Sequence, residues 1–367
     1  MARQTPAAPS SATQAPECGL NSATDRAGVA RRRIGIKDVA REAGVSLGTV
    51  SNVLNRPEIV AESTRRRVLG VIGSIGYVRA EGARQLHGLT SRVIAVLGLD
   101  VAGAHFSALT TGVQQTAREA DLGVMMCTGA SDAEEESRQL ALITAHQLRG
   151  AVLIGTEVSR TVAAFRQYAV PFVMADHCAA EPATCSVGVD DVAGGFAAVR
   201  HLLEQGHRTL AYVGGPDRTP MRDRRTGARR AVSRSGLSSA SLHELACPAL
   251  TVSAGNDAGH RILGLPVRPT AVFCGDDLLA LGVMQVLYEA GLKVPDDIAM
   301  VGYDDLEFAA SAVVPLTTVR RPAVAMGRHA GRLLIEHTAL DAGHEHAHVI
   351  LQPELVVRRS TLPSTAL

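Results

Sequence analysis

Between residues 46 and 55 the chain spaces Ser46, Thr49, Ser51, Asn52 and Asn55 so that they share the outer side of a short helix. Short hydroxyl and amide side chains held this way can grip phosphate oxygens and read base edges. Val50, Val53 and Leu54 form the opposite, apolar face. Just upstream, Ile36, Val39, Ala40 and Ala43 recur at helical spacing. Gly44 follows, where a left-handed residue can end a helix, and Ser46 stands where a hydroxyl can cap the next one. The spacing therefore predicts helix, tight turn, helix. Such a pattern alone also fits an ordinary hairpin with a solvated polar face. Charge separates the two readings. Residues 31–90 hold eleven Lys/Arg against five Asp/Glu, a formal +6, whereas the whole chain is +1. A compact basic module on a non-basic body is an electrostatic footprint for nucleic acid.

A second set of polar residues falls at the ends of apolar runs. From Arg92 onward, runs at 93–97, 123–126, 150–154, 171–174, 209–213, 271–274 and 298–301 read as buried strands. Helical stretches at 108–120, 134–147, 194–205 and 278–290 separate them. Alternating strand and helix predicts parallel sheets with helices on both faces. There are too many strands for one mononucleotide-type sheet, so two similar α/β lobes are expected. Asp100, Asp176 and Asp304 follow three of the runs. In such folds ligands bind outside the carboxyl ends of the strands.

The elements that must position these groups are bounded by composition. A chain of 367 residues, 46% hydrophobic and 20% charged, has room for a small module and a large body. No apolar run approaches the ~20 residues of a membrane helix. The first thirty residues are rich in Ala, Ser, Thr and Pro and lack a signal peptide's apolar centre, so a disordered tail or an over-long start, and a cytoplasmic protein, are expected. Residues 62–75 predict a third helix with Val68, Leu69, Ile72 and Ile75 on its inner side. Cysteines 18, 127, 178, 185, 247 and 274 form no close paired motif, so reduced thiols are expected rather than disulfides or a metal site. The one Gly-x-Ser-x-Gly run, Gly44-Val-Ser-Leu-Gly48, falls between two helical stretches rather than after a strand, and there is no phosphate loop or dinucleotide fingerprint, so neither an enzyme nor a cofactor is expected.

The motifs Asp38-Val-Ala, Ala43-Gly-Val-Ser, Thr49-Val-Ser and Asn55 come first. Ala83-Arg-Gln-Leu86, Gly188-Val-Asp-Asp191, Gly206-His-Arg208 and Gly214-Gly-Pro216 follow, then Val301-Gly-Tyr-Asp-Asp305 and Pro315-Leu-Thr-Thr318. In this order they resemble the LacI/GalR family of bacterial transcriptional regulators, from Gly35 to about Thr361. The resemblance implies an α/β fold class: an N-terminal three-helix helix-turn-helix headpiece plus a two-lobed, periplasmic-binding-protein-like effector domain with parallel sheets. It divides the chain into a tail (1–33), headpiece (34–80), hinge helix (81–90) and effector-binding and dimerisation domain (91–367). The implied function is an operator-binding repressor whose DNA affinity is controlled by a small-molecule effector. The implied partners are double-stranded operator DNA, a sugar effector and a second copy of the chain, with no membrane. Alternatives are a co-repressor-dependent or activating member, or a ligand-binding module that has lost specific DNA binding. A secreted solute-binding protein of the same fold would carry a signal peptide and no headpiece.

By the same resemblance Leu47, Gly48 and Asn52 fall where the family reads major-groove bases, and Ala83 and Leu86 where its hinge enters the minor groove. Asn52 can pair with adenine, Leu47 can meet a thymine methyl, and Leu86 can wedge into a base step. Ser46, Thr49, Ser51, Asn55 and Thr64 match phosphate-contact positions. Gly35 and Ala61 replace usual helix caps, and Ala is a poor cap. The implied effector contacts are Asp100, His105, Phe106 (a cleft wall), Asp176, Arg224, Asp276 and Asp304. Arg224 is expected to offer a bidentate guanidinium. The carboxylates suit a polyol such as a sugar and disfavour a multiply anionic ligand. Sugar-binding relatives often carry an aromatic platform near residues 251–255, and this chain has Thr-Val-Ser-Ala-Gly there and no Trp.

Overall fold

The computed structural model describes residues 34–78, 90–98, 103–128, 133–155, 158–176, 183–339 and 344–362. The chain divides into two compact units, 1–80 and 81–367. The hinge positions Ala83 and Leu86, and Asp100, lie outside the described residues.

The first unit holds α1 (Ile36–Ala43), α2 (Leu47–Asn55), a 3-10 turn and α3 (Glu62–Ile75). Gly44 ends α1 at φ 64° and Gly76 ends α3 at φ 69°, both left-handed conformations that favour glycine. Val39, Ala40, Ala43, Val50, Val53 and Val68 form the core between the three helices. Leu69 is a correction to the expected inner face: it is 49% exposed, because α3 turns Val68 inward and carries its neighbour out.

The second unit is two lobes. The first lobe's sheet has the order β11-β5-β4-β3-β1-β2, with every pair parallel. Its strands are β1 (Val93–Gly98), β2 (Gly123–Thr128), β3 (Ala151–Ile154), β4 (Phe172–Ala175), β5 (Cys185–Val189) and β11 (His348–Leu351). The second sheet has the order β12-β10-β9-β8-β6-β7. It comprises β6 (Thr209–Gly214), β7 (Ser241–Ala246), β8 (Ala271–Cys274), β9 (Ala299–Asp304), β10 (Thr317–Arg320) and β12 (Glu354–Val356), the last antiparallel. Each sheet has an apolar core on both faces. Parallel sheets covered on both faces need strands as apolar as β1 or β8.

Helices α4 (Ala104–Glu119), α5 (Ala133–Ala145) and α6 (Val158–Gln167) lie in the first half of this unit. Next come α7 (Asp191–Glu204), α8 (Thr219–Arg234), α9 (Val252–Leu263) and α10 (Asp277–Glu289). The last two are α11 (Glu307–Ser311) and α12 (Ala323–His337), which packs on α4. Glycine sets the approach of α4 to α12: a Cβ at Gly112 would collide with the backbone at Val324 and Gly327. The chain crosses between lobes after β5, after β10 and after β11. Asp191 and Arg321 therefore sit at crossings, which bears directly on the site.

Candidate functional site

In the headpiece, Ser46 caps α2: its Oγ accepts a hydrogen bond from the Thr49 backbone N–H at 3.0 Å and lies 2.9 Å from the Thr49 hydroxyl. This fixes the start of α2, the end that carries the expected base readers. Leu47 is 43% exposed, outside the headpiece core, and Gly48 and Asn52 are exposed beside it. Thr49 and Ser51 are half-buried, and Asn55 donates to the Ser51 Oγ at 3.2 Å. Thr64 is half-buried on α3. The altered cap at Gly35 is partly compensated, since its N–H donates to Asp38 Oδ2 at 2.9 Å. Ala61 supplies no side-chain cap. Of the three consecutive arginines, Arg65 and Arg66 lie 2.6 and 3.4 Å from Glu62, while Arg67 is exposed.

Between the lobes the structure builds a buried ionic network. Asp176 follows β4 of the first lobe and Asp304 ends β9 of the second, with left-handed φ of 63° and 107°. Such backbone is unfavourable for a residue with a side chain and clusters at functional sites. Arg321, at the crossing after β10, joins them. Its Nη1 donates to Asp176 Oδ1 at 2.7 Å and its Nε to Asp304 Oδ1 at 2.5 Å. One guanidinium thus ties the carboxyl ends of two sheets.

Arg224, on α8, is 1% exposed. Its Nε donates to Asp191 at 2.9 Å, its Nη1 to the Gly275 carbonyl at 2.6 Å, and its Nη2 lies 3.9 Å from Asp304. Its guanidinium carbon sits 3.8 Å from the centroid of the Tyr303 ring. Gly194 on α7 makes room for that ring, since a Cβ there would collide with the Tyr303 hydroxyl. Two of the three Arg224 nitrogens are thus engaged within the protein, and Nη2 lies beside Asp304 without a short contact. Arg222 and Arg225 pair with Thr219 and Asp217 on the surface.

The carboxyls do not share one protonation state. Burial alone would raise Asp176, but Arg321, His105 and Arg224 together hold it well below the ordinary carboxylate range. Asp304 is likewise depressed, burial being outweighed by Arg321 and Arg224. Asp276, the cap of α10, is pushed up to about 7 by burial and by the neighbouring Asp304 charge. Asp277 is pushed up to about 8, chiefly by burial, although Thr318 and the Leu306 N–H donate to it at 2.7 and 2.8 Å. Two guanidiniums and five carboxyls, some holding protons near neutrality, offer both donors and acceptors.

His105 Nε2 lies 3.3 Å from Asp176 Oδ2. That buried nitrogen has no aligned hydrogen bond, so it retains polar capacity in the cleft. Phe106 corrects the cleft-wall expectation. It is 4% exposed and belongs to the first lobe's core, its ring covering Gly98.

Residues 35–80 match the sequence pattern of bacterial regulatory proteins of the lacI family, and residues 199–361 match a periplasmic binding protein-like domain. The ribose operon repressor of Escherichia coli (strain K12) is 34% identical over 330 residues, covering 89% of this chain and 96% of that protein. The chain belongs to the LacI family. Among solved structures, the lac repressor dimer bound to operator and the anti-inducer ONPF aligns with a TM-score of 0.80 and 26% identity, over 90% of this chain and 100% of that one. A LacI family transcriptional regulator from Enterococcus faecium with bound ribose aligns with a TM-score of 0.66 and 26% identity, over 74% and 99%.

Within this LacI-family frame, Asp176, Arg224, Asp276, Asp304 and His105 come together as one cluster. Arg321 and Asp191 were absent from the sequence-derived set, yet they hold the cluster in place. The available signal was positional: Arg321 directly follows a short strand and precedes Pro322, and Asp191 closes the Gly188-Val-Asp-Asp191 motif. Nothing in either pattern marks its charge as buried.

Proposed function

We propose that this LacI-family chain is a cytoplasmic homodimeric repressor. A small neutral polyol, a sugar, binds between its lobes and sets its operator affinity. The observation that carries the reading is the Asp176–Arg321–Asp304 bridge, with Arg224 beside it. A hydroxyl-rich ligand exchanging hydrogen bonds with these groups acts on the contacts that join the two lobes. Differential contact with two lobe arrangements is what an effector needs in order to shift an equilibrium.

The site's chemistry favours a small sugar over a purine-type effector. The Tyr303 face is already covered by Arg224, and Phe106 is committed to the core, so neither offers a stacking surface for a base. The excess of carboxyls over guanidiniums disfavours phosphorylated ligands. The ribose bound to the Enterococcus faecium regulator and the ribose operon of the Escherichia coli repressor point to pentoses as the first candidates. With relatives that are repressors, and a site that positions hydrogen bonds rather than a reacting group, the chain is a regulator and not an enzyme.

On the DNA side, Leu47, Gly48 and Asn52 would face the major groove. Ser46, Thr49, Ser51, Asn55 and Thr64 would hold phosphates, and Ala83 and Leu86 would enter the minor groove. Two-fold protein symmetry reads two-fold DNA symmetry. The test is selection from a random duplex library with the full chain, followed by addition of pentoses and hexoses to the selected complex. The reading requires a two-fold symmetric site and a change in affinity with one neutral sugar. No enriched site with or without ligand refutes operator binding. An enriched site that responds only to purines or phosphorylated sugars refutes the effector assignment.

A further inference from the structure

A second cluster of polar groups lies at the other end of the first lobe's sheet, away from the cleft. Cys185 opens β5 and is buried. His344 and His346 precede β11, which pairs in parallel with β5 and puts His348 opposite Ser186. Cys185 Sγ lies 2.9 Å from His344 Nε2 and 3.5 Å from His346 Nδ1. One donor atom from each residue falls within 4.8 Å of the others. His337, at the end of α12, stacks on His344 with centroids 4.7 Å apart and meets His346 edge-on at 5.3 Å. The His337 Nδ1 is buried without a hydrogen-bond partner. His348 is otherwise engaged, its Nδ1 lying 2.9 Å from the Ser186 hydroxyl.

We propose that Cys185, His344 and His346 form a binding site for a borderline-soft cation, zinc(II) being the probe of choice. One thiolate and two imidazoles are the donor set such a cation prefers over oxygen ligands. Zinc–sulfur and zinc–nitrogen bonds of about 2.3 and 2.0–2.1 Å, at tetrahedral angles, put sulfur and nitrogen about 3.5 Å apart. The observed 3.5 and 2.9 Å separations need only a sub-ångström adjustment at His344, which is half-exposed on a chain segment outside the strand. A bound cation fastens the residues entering β11, the strand from which the chain makes its last crossing between lobes, to β5. The site escapes a search for spaced motifs because Cys185 and His344 are 159 residues apart and meet only through the β5–β11 pairing.

The test uses tag-free, chelator-treated full-length protein. Zinc(II) is titrated against a chromophoric chelator, and cobalt(II) serves as a spectroscopic probe whose thiolate charge-transfer absorption reports sulfur ligation. The expected result is one equivalent of zinc taken up with a thiolate–cobalt band. Cys185→Ser should abolish the band, and His344→Ala and His346→Ala should each weaken zinc binding at least tenfold. Cys185 is buried, so its replacement can impair folding. The double variant His344→Ala/His346→Ala, checked for folding by circular dichroism, keeps the proposal exposed to failure. Unchanged zinc affinity in the folded double variant overturns it, as does a wild-type chain that takes no zinc from the chelator. A thiolate–cobalt band that survives in folded Cys185→Ser assigns the sulfur to another cysteine and overturns it too.

Discussion

Arg321→Gln is the perturbation that most directly tests the bridge between the lobes. The side chain is 6% exposed and holds Asp176 at 2.7 Å and Asp304 at 2.5 Å. Glutamine keeps polar capacity but removes the charge, leaving two buried carboxylates with only His105 and the more distant Arg224 beside them. Removing one partner of a buried pair costs about 3–5 kcal/mol, against about 0–1 kcal/mol for exposed pairs. The pH dependence follows from the depressed carboxyls. A group whose folded pKa is lowered stabilises above its unfolded value, about 3.9 for Asp, and loses that stabilisation as pH falls through the folded value. The variant's deficit should therefore be full at pH 7 and shrink below about pH 4. The chain has no Trp, so urea unfolding followed by far-ultraviolet circular dichroism is the suitable assay. A deficit below about 1 kcal/mol at pH 7, or one that does not change with pH, refutes the buried bridge. The triple variant Arg321→Met/Asp176→Asn/Asp304→Asn should recover part of the loss, because no carboxylate is then left buried without its guanidinium, while Arg224 keeps Asp191.

Asp276→Asn should stabilise the protein above pH 7. Its carboxyl is raised to about 7 by burial and Asp304, so the wild type is favoured at low pH and loses that contribution as pH climbs from the ordinary carboxylate range toward 7; parallel melting curves for variant and wild type across pH 4–8 would contradict this. Asn52→Ala should weaken the selected operator by about 1–3 kcal/mol and leave nonspecific binding nearly unchanged, as read by gel shift; equal losses on both would place Asn52 on phosphate instead. Leu86→Ala should likewise reduce specific binding more than nonspecific binding, and equal losses would remove the minor-groove wedge. Operator affinity should fall steeply between low and physiological salt, given the formal +6 on residues 31–90, and a flat salt response would argue against phosphate contact.

Much of the fold was legible because local rules and tertiary packing agree. The glycine after α1, the serine before α2 and the apolar runs of β1, β3, β4, β6, β8 and β9 all carry period or cap signals that short windows reveal. The strands that escaped were those whose burial comes from partners elsewhere. β7 is a half-exposed edge strand with no apolar run. β10 begins with two threonines, buried because Thr318 donates to Asp277 and Thr317 Oγ1 lies 2.9 Å from the Thr361 hydroxyl. Helix α8 is dense in arginine, and its inner face is Met221, Arg224, Gly227, Ala228 and Ala231, hardly an apolar stripe.

The sequence by itself determined the helix-turn-helix, the exposure of a polar face on α2, the alternating strands and helices, and the carboxylates at strand ends. Each depends on neighbours within a few residues, and periodicity and caps act over that range. Only the tertiary structure decided which charges are buried together. Asp176 and Arg321 are 145 residues apart, and Cys185 and His344 are 159 apart. Those pairs exist because parallel pairing sets a register and the crossings return distant segments to the same sheet end. Coulomb interaction and desolvation depend on distance in space and on solvent access, and neither is a property of the linear chain.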